Sequence, residues 1–257
     1  MKPAVTPKKH LGQHFLNDKN IAEKVALLFK NDQKMTTMVE IGPGMGVLTD
    51  FLIANFSDVV AIEIDNESVQ YLNKHIKASH FKVIETDFLK ENLSMLFQNK
   101  EVCIVGNFPY NISSQIVFKI LENPSQVIGF GGMFQKEVAE RLVAKEGSKT
   151  YGILSVLLNT YYQTEYQFTV AEHVFIPPPK VKSGVIKCLL KTDFILPCDK
   201  KLYFEVVKMA FNQRRKMLRN ALHKFNLPES HEFAKLRAEQ LSVENFLELT
   251  QYIEQKQ

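Results

Sequence analysis

The sequence predicts an α/β protein, an open and mostly parallel sheet followed by a small all-helical domain. Three observations predict it. Short apolar runs recur from Met38 onward, and each ends at a glycine, an acid or an amide. Segments with helical spacing separate these runs, as in a parallel sheet with crossover helices. After Asp193 the strand signal stops, and residues 199–256 keep helical spacing, with Met217, Leu218, Ala221, Leu222 and Phe225 on one apolar face. A chain of 257 residues has room for one α/β domain and a smaller second one. The boundary is drawn in Ile195-Leu196-Pro197-Cys198, giving domains of residues 1–194 and 195–257.

The elements follow in order. An N-terminal arm leads into a helix over about 17–30. Met38–Ile41 reads as a short buried strand. It runs into Gly42-Pro43-Gly44-Met45-Gly46, after which Val47 to Leu52 begins a helix. Strand, glycine-rich turn and helix form a nucleotide-type loop, because glycines let the backbone approach a ligand closely. The pattern from Glu40 is E-x-G-x-G-x-G. Val47 stands where the third glycine of an NAD fingerprint would be. The strand Val59–Ile62 ends in Glu63, placed for ribose hydroxyls. The strand Phe81–Ile84 ends near Asp87 and Phe88, a carboxylate for an adenine amine and a ring beside the base.

Val102–Val105 reads as a strand buried on both faces, and Gly106 is read as the point where the chain leaves it. Asn107, Phe108, Pro109 and Tyr110 follow. The Asn107 side-chain oxygen and the Pro109 carbonyl can each accept one N–H of an exocyclic amine. Pro109 stiffens the turn, and Tyr110 offers a face for stacking a base. Later, Gly152–Tyr161 reads as a helix. Tyr162–Val170 and Gly184–Leu190 read as strands paired at the sheet edge, with Pro177-Pro178-Pro179 in the loop between them.

Singly, each acid is an ordinary solvated loop residue and the tetrapeptide a polar turn. In parallel sheets, however, ligands bind at the carboxyl ends of the strands, so all four strand ends can line one crevice. The absent third glycine and the amine-gripping tetrapeptide favour S-adenosylmethionine over NAD.

Composition agrees. Hydrophobic residues make up 45% of the chain, enough for a sizeable core. Three cysteines without C-x-x-C spacing argue against a disulfide framework or a zinc site, and Cys103 reads as core. His14 has no second ligand at metal-binding spacing, so no metal is expected. Neither a signal peptide nor a membrane-spanning run is visible, and a cytoplasmic location is expected. The net charge is +4. Cations collect in two blocks, Lys2, Lys8 and Lys9, then Arg214, Arg215, Lys216, Arg219 and Lys224. These are either phosphate contacts or solvated surface.

The residues now carry a resemblance. The chain resembles the ribosomal RNA adenine N6-dimethyltransferase family, and most of all its bacterial small-subunit members. The resemblance rests on Leu11-Gly12-Gln13-His14-Phe15-Leu16-Asn17-Asp18, Glu40 to Gly46, Glu63-Ile64-Asp65, Gly106 to Ser113 and Gln135-Lys136-Glu137-Val138. It continues through Phe175-Ile176-Pro177-Pro178-Pro179-Lys180-Val181 and Ala210 to Lys216. Leu11, His14 and Phe108 depart from the phenylalanine, asparagine and leucine common there.

The resemblance implies a Rossmann-like S-adenosylmethionine-dependent methyltransferase sheet with a helical RNA-binding domain. The implied activity is N6,N6-dimethylation of two adjacent adenosines near the 3′ end of 16S rRNA in the small ribosomal subunit, by a monomer. Implied cofactor residues are Gln13, His14 and Leu16 of the arm, Gly42, Gly44, Gly46, Glu63, Ile64, Asp87, Phe88 and Asn107. Asn107, Pro109 and Tyr110 are implied in catalysis. Phe108, Tyr110, Phe175, Lys180, Arg214, Arg215, Lys216 and Arg219 are implied in substrate binding. Phe175 reads equally as an apolar anchor under the proline loop. Two other functions share part of the pattern: methylation of a large-subunit rRNA adenosine with antibiotic resistance, and an RNA-binding assembly factor without catalysis. Intact Glu63, Asp87, Asn107 and Tyr110 speak against the latter.

Overall fold

The computed structural model describes residues 5–32, 34–35, 37–192 and 194–256; Lys2 and Asp193, named above, lie outside them. The strands are β1 (Phe15–Leu16), β2 (Thr37–Ile41), β3 (Asp58–Glu63), β4 (Phe81–Glu85), β5 (Val102–Asn107), β6 (Val127–Gln135), β7 (Tyr162–Val170), β8 (Phe175–Ile176) and β9 (Ser183–Leu190). The α-helices are α1 (Lys19–Ala26), α2 (Val47–Asn55), α3 (Asn66–His75), α4 (Leu93–Leu96), α5 (Ser113–Glu122), α6 (Lys136–Leu142), α7 (Ile153–Tyr161), α8 (Lys200–Asn212), α9 (Leu218–Ala221) and α10 (Val243–Glu254).

Seven strands form one sheet in the order β4-β3-β2-β5-β6-β9-β7. The pairs β2–β3, β3–β4, β2–β5 and β5–β6 are parallel, and β9 joins β6 antiparallel. The two late strands are neighbours at the edge, as the sequence predicted. Every residue of β2 is buried, which suits a central parallel strand covered on both faces. Edge strand β7 instead alternates between buried or half-buried and exposed positions. The strand order reverses between β2 and β5, so the carboxyl ends of these two strands flank the crevice where ligands bind.

Helix α1 packs Ala22, Val25 and Ala26 into the core with Phe29, Met38, Leu52, Cys103 and Met133. Its first turn is capped by Asp18, whose carboxylate accepts from the N–H groups of Asn20 (2.9 Å) and Ile21 (3.1 Å). A second, two-stranded pairing joins β1 to β8 antiparallel and ties the N-terminal arm to the proline loop.

Gly106 does not end its strand, because β5 continues through Asn107. It is needed for another reason. A Cβ there would lie 2.8 Å from the Ile41 carbonyl oxygen and 3.2 Å from the Phe108 ring. Its partner Gly132 in β6 is tighter still. At φ +143° a Cβ on Gly132 would lie 2.0 Å from the Gly106 carbonyl oxygen.

Internal contacts divide the chain into two units. One holds the described residues up to Ala139 together with Thr164–Leu190; the other holds Glu140–Gln163 and the described residues from Lys191 onward. The boundary expected at 194/195 left residues 140–163 with the sheet. They group instead with the C-terminal helices, because α7 is buried along its length from Leu154 to Tyr161 and Thr160 Oγ1 meets the Tyr203 hydroxyl of α8 at 2.7 Å. Within this unit Phe211 stacks on Phe246 of α10 at 5.8 Å. Of the apolar face expected at 217–225, Leu218, Ala221 and Leu222 are fully buried, whereas Met217 is 41% exposed and α9 is a single turn.

Gly132→Ala is expected to destabilise the protein by more than about 3 kcal/mol, since backbone at 2.0 Å has no rotamer to yield. Urea unfolding checks this; wild-type stability would mean that the strands can separate locally.

Candidate active site

The three glycines of the loop after β2 all take positive φ: Gly42 +68°, Gly44 +56° and Gly46 +81°. They turn the chain sharply from strand to helix. A side chain on Gly44 would press into the Phe15 ring of the arm, with its Cβ 2.9 Å away. Glu63, almost fully buried at the end of β3, braces this loop. Its carboxylate accepts from the N–H groups of Gly44 (3.1 Å), Ile64 (2.9 Å) and Asp65 (2.9 Å). Burial raises its proton affinity, and these three donors oppose the rise by stabilising the anion. Two carboxylate oxygens offer about four lone-pair sites, so capacity remains for a ribose hydroxyl.

A cleft of about 970 Å³, counted to its open mouth, lies over these strand ends. Gly42, Gly44, Glu63, Ile64, Asp87 and Phe88 line it together with Asn107, Phe108, Pro109 and Tyr110. The arm forms another wall through His10 to Phe15, so Gln13 and His14 lie on the cleft as well. Ile64 offers an apolar surface beside Glu63, being 50% exposed. Asp87 accepts from the Leu89 N–H at 3.1 Å and lies 3.5 Å from Lys90 Nζ.

At the end of β5 the Asn107 side chain donates from Nδ2 to the His14 carbonyl at 2.7 Å. One N–H of the amide is thus engaged, and its oxygen accepts no hydrogen bond from another described residue. The Pro109 carbonyl accepts from the Ile112 N–H at 3.2 Å and retains a second lone pair. The Tyr110 hydroxyl lies 2.5 Å from Ser183 Oγ, and its ring stacks on His14 with centroids 5.6 Å apart. Burial pushes the Tyr110 hydroxyl up in pKa, so it stays protonated at neutral pH.

Several expected site residues stand elsewhere. Gly46 caps α2, where a Cβ would meet Leu72 at 2.9 Å, and it does not line the main cleft. Leu16 is buried in β1 and borders only a smaller hollow beside the glycine loop, with Glu40 and Asn107. Phe175 is 1% exposed inside the core cluster and opposite Leu16, so the apolar-anchor reading fits it and the base-stacking reading does not. Phe108 reaches the cleft wall but packs on Phe134 at 4.7 Å and is fully buried, which leaves no free face for a base. Lys180 is exposed and outside the cleft lining.

The basic cluster is also divided. Arg214 pairs with Glu239 at 2.7 Å and donates to the carbonyls of Lys149 (2.9 Å) and Ser148 (3.3 Å), so it fastens the 145–149 loop. Arg219 pairs with Glu229 at 2.6 Å, and Lys224 pairs with Glu205. Arg215 and Lys216 are exposed and form no ion pair with another described residue. In the arm, Lys8 bridges to Asp65 and lies 3.6 Å from Glu67. Sequence reasoning missed Ser183 and this Lys8–Asp65 bridge, since neither carries a spacing signal. Among the described residues no group of three or more His, Cys, Asp or Glu could hold a metal ion, and no helix is long and apolar enough to cross a membrane.

Fold and cleft together define the class, a Rossmann-like α/β protein with a ligand crevice at the carboxyl ends of its parallel strands. The model of the ribosomal RNA adenine dimethylase family matches residues 5–255, and the chain belongs to that family. It is 56% identical to a "Ribosomal RNA small subunit methyltransferase A" of Flavobacterium johnsoniae, over 97% of each chain. It is 50% identical to the protein of the same name from Cytophaga hutchinsonii, over 98% of this chain and 99% of that one. A dimethyladenosine transferase from Plasmodium falciparum shares the fold with a TM-score of 0.80 at 23% identity, over 95% of this chain and 98% of that one. The 23S rRNA methyltransferase ErmE does so at 0.69 and 21%, over 92% and 99%.

Glu40, buried under the glycine loop, accepts from Thr49 Oγ1 at 2.6 Å. Burial pushes its carboxyl up to about 8 from 4.5, and the Thr49 bond opposes the rise. Between these values the folded chain holds a proton that the unfolded chain has lost, so stability falls as pH rises. The contribution is complete below about 4.5 and gone above about 8. Glu40→Gln should flatten the decline of unfolding free energy across that window, measured by urea unfolding at stepped pH. An unchanged slope would mean that Glu40 is ionised throughout.

Proposed function

We propose that this chain transfers methyl groups from S-adenosylmethionine to the N6 amines of two adjacent adenosines near the 3′ end of small-subunit rRNA, acting as a cytoplasmic monomer during ribosome assembly. Family membership supports the chemistry, and the small-subunit relatives support the substrate. The observation that carries the reading is the orientation of Asn107. Its amide nitrogen is held by the His14 carbonyl, so its oxygen is the acceptor offered to the cleft that Glu63 and the glycine loop share.

The residues present fit S-adenosylmethionine. Gly42 and Gly44 turn the backbone along the cleft at positive φ, Glu63 has lone pairs for the ribose, and Ile64, Asp87 and Phe88 line the cleft with apolar and acceptor groups for the adenine. When bound, S-adenosylmethionine supplies an electrophilic sulfonium methyl and leaves as a neutral thioether, so neither a strong base nor a metal is needed. The lone pair of an adenine amine is delocalised into the ring. Hydrogen bonds from N6 to the Asn107 oxygen and the Pro109 carbonyl favour a pyramidal nitrogen and aim its lone pair. Orientation of this kind supplies much of a barrier reduction. After the first methyl transfer the nitrogen releases one proton to water, one N–H remains, and a single acceptor then holds it. Tyr110, with its hydroxyl occupied by Ser183, presents its ring to a base that has left its stack.

Asn107→Ala should lower the single-turnover rate on small subunits by about 100- to 1,000-fold, the scale of removing one preorganised polar contact. S-adenosylmethionine affinity by calorimetry should change little. Near-wild-type rates, with mono- and dimethyladenosine counted separately, would overturn the mechanism.

Phosphate binding is assigned to Arg215 and Lys216. Replacing both with alanine should reduce the log–log salt slope of RNA binding by roughly 0.7–0.9 per lost contact. Arg214→Ala should instead lower the melting temperature, because it frees the 145–149 loop. An unmoved salt slope in the double variant would make the pair ordinary solvated surface.

A further inference from the structure

We infer that Ser183 and His14 are positioning residues that clamp Tyr110, the ring on which the target adenine is to stack. The inference rests on the cleft being the amine-transfer site.

Ser183 is fully buried at the start of β9, opposite Gln135 of β6. Its position is therefore set by the sheet. Its Oγ lies 2.5 Å from the Tyr110 hydroxyl. A buried hydroxyl without a partner is costly, so this bond pins the far end of the tyrosine. The ring face is pinned separately. The His14 imidazole stacks on it at 5.6 Å with planes 29° apart. The imidazole is itself anchored, because its Nδ1 lies 2.7 Å from the Pro177 carbonyl oxygen. A carbonyl only accepts, so Nδ1 must carry the proton and the ring cannot turn freely. Pro177 directly follows β8, whose pairing with β1 fixes the distance.

His14 also reaches the side chain proposed to grip the amine. Its backbone oxygen accepts from Asn107 Nδ2 at 2.7 Å. One arm residue thus sets both the plane of the stacking ring and the orientation of the accepting amide. A tyrosine held at its tip and on one face retains little freedom, so an incoming base meets an ordered platform on the other face. Preorganisation of this sort removes an ordering cost from the bound state. Tyr110 then contributes as a ring, while its hydroxyl serves only to hold it.

The test uses the full chain with small subunits lacking the modification. Ser183→Ala and Tyr110→Phe break the same hydrogen bond. Each should slow single-turnover methyl transfer at saturating cofactor by about five-fold, and the double variant should be no slower than either. Cofactor affinity should stay within about two-fold of wild type in all three, as neither group reaches the glycine loop. His14→Ala should be slowed by about ten-fold, and His14→Phe, which keeps a ring against Tyr110, should recover most of that loss. Multiplicative effects of Ser183→Ala and Tyr110→Phe, or a Ser183→Ala variant that melts earlier but methylates normally, would overturn the clamp. So would a loss in His14→Ala that lies wholly in cofactor affinity.

NMR of carbon-13-labelled tyrosine gives a second readout that needs no turnover. Tyr110, assigned by its absence in Tyr110→Phe, should show restricted ring motion in wild type and averaged signals in Ser183→Ala and His14→Ala. Averaged Tyr110 signals already in wild type would reject the clamp. A wild-type protein that forms no dimethyladenosine would sink the amine-transfer reading, while these spectra still decide whether Tyr110 is clamped.

Discussion

One buried carboxylate holds the cleft together. Glu63 gathers the N–H groups of Gly44, Ile64 and Asp65, and so fixes the loop after β2 against the turn after β3. Three donors on an anion of low solvent exposure make each other necessary: the anion needs them to offset burial, and three backbone N–H groups at tight turns need an acceptor. The Gly42 N–H, bonded to the Ile62 carbonyl at 2.9 Å, closes the same junction from the other side. The bend does not end there. Asp65 accepts from Ser68 at 2.9 Å and bridges to Lys8, which holds one end of the arm. Burial alone would raise the Asp65 carboxyl, but Lys8 and Ser68 outweigh it and hold the group below the usual carboxylate range.

The arm therefore spans the cleft between two anchors. Lys8 fastens it to the turn after β3, and the β1–β8 pairing fastens it to the proline loop. Between them, Gly12 takes a positive φ at a point where a Cβ would lie 2.5 Å from the Asn111 side-chain oxygen. The glycine loop and the Asn107–Tyr110 turn stand at the ends of separate strands, and the arm touches both. Phe15 lies against Gly44, and His14 lies against Asn107 and Tyr110.

Much of this was legible in the sequence. The strand ends at Gly42, Glu63, Asp87 and Asn107 were readable because apolar runs end abruptly at residues with distinct chemistry, and parallel sheets bring such ends together. The arm residues Gln13 and His14 came only through the family resemblance, since no local pattern places an N-terminal segment over a distant strand. Phe175 and Arg214 went astray for a common reason. An aromatic ring and a guanidinium are as useful in a core or a loop tie as against RNA, and only their partners decide: Leu16 across the β1–β8 pair for one, Glu239 and two carbonyls for the other. Residues 140–163 were misgrouped because chain continuity suggests one domain, whereas the burial of α7 demands partners that the chain supplies much later, in α8 and α10. Gly106 was read as a strand breaker, although its small size serves close packing against Ile41 and Gly132.

The ion pairs change what the basic blocks of the sequence, rather than its net charge of +4, mean to a polyanion. Lys8, Arg214, Arg219 and Lys224 each sit against a carboxylate of the same chain. From beyond roughly a Debye length, about 8 Å in physiological salt, such pairs present dipoles rather than cations. The net charge of +4 already counts those carboxylates and is unchanged, but the block from Arg214 to Lys224 is less cationic locally than its sequence suggests. What a polyanion meets at close range in that block is therefore set by where its exposed, unbridged cations Arg215 and Lys216 stand more than by the number of basic residues in it.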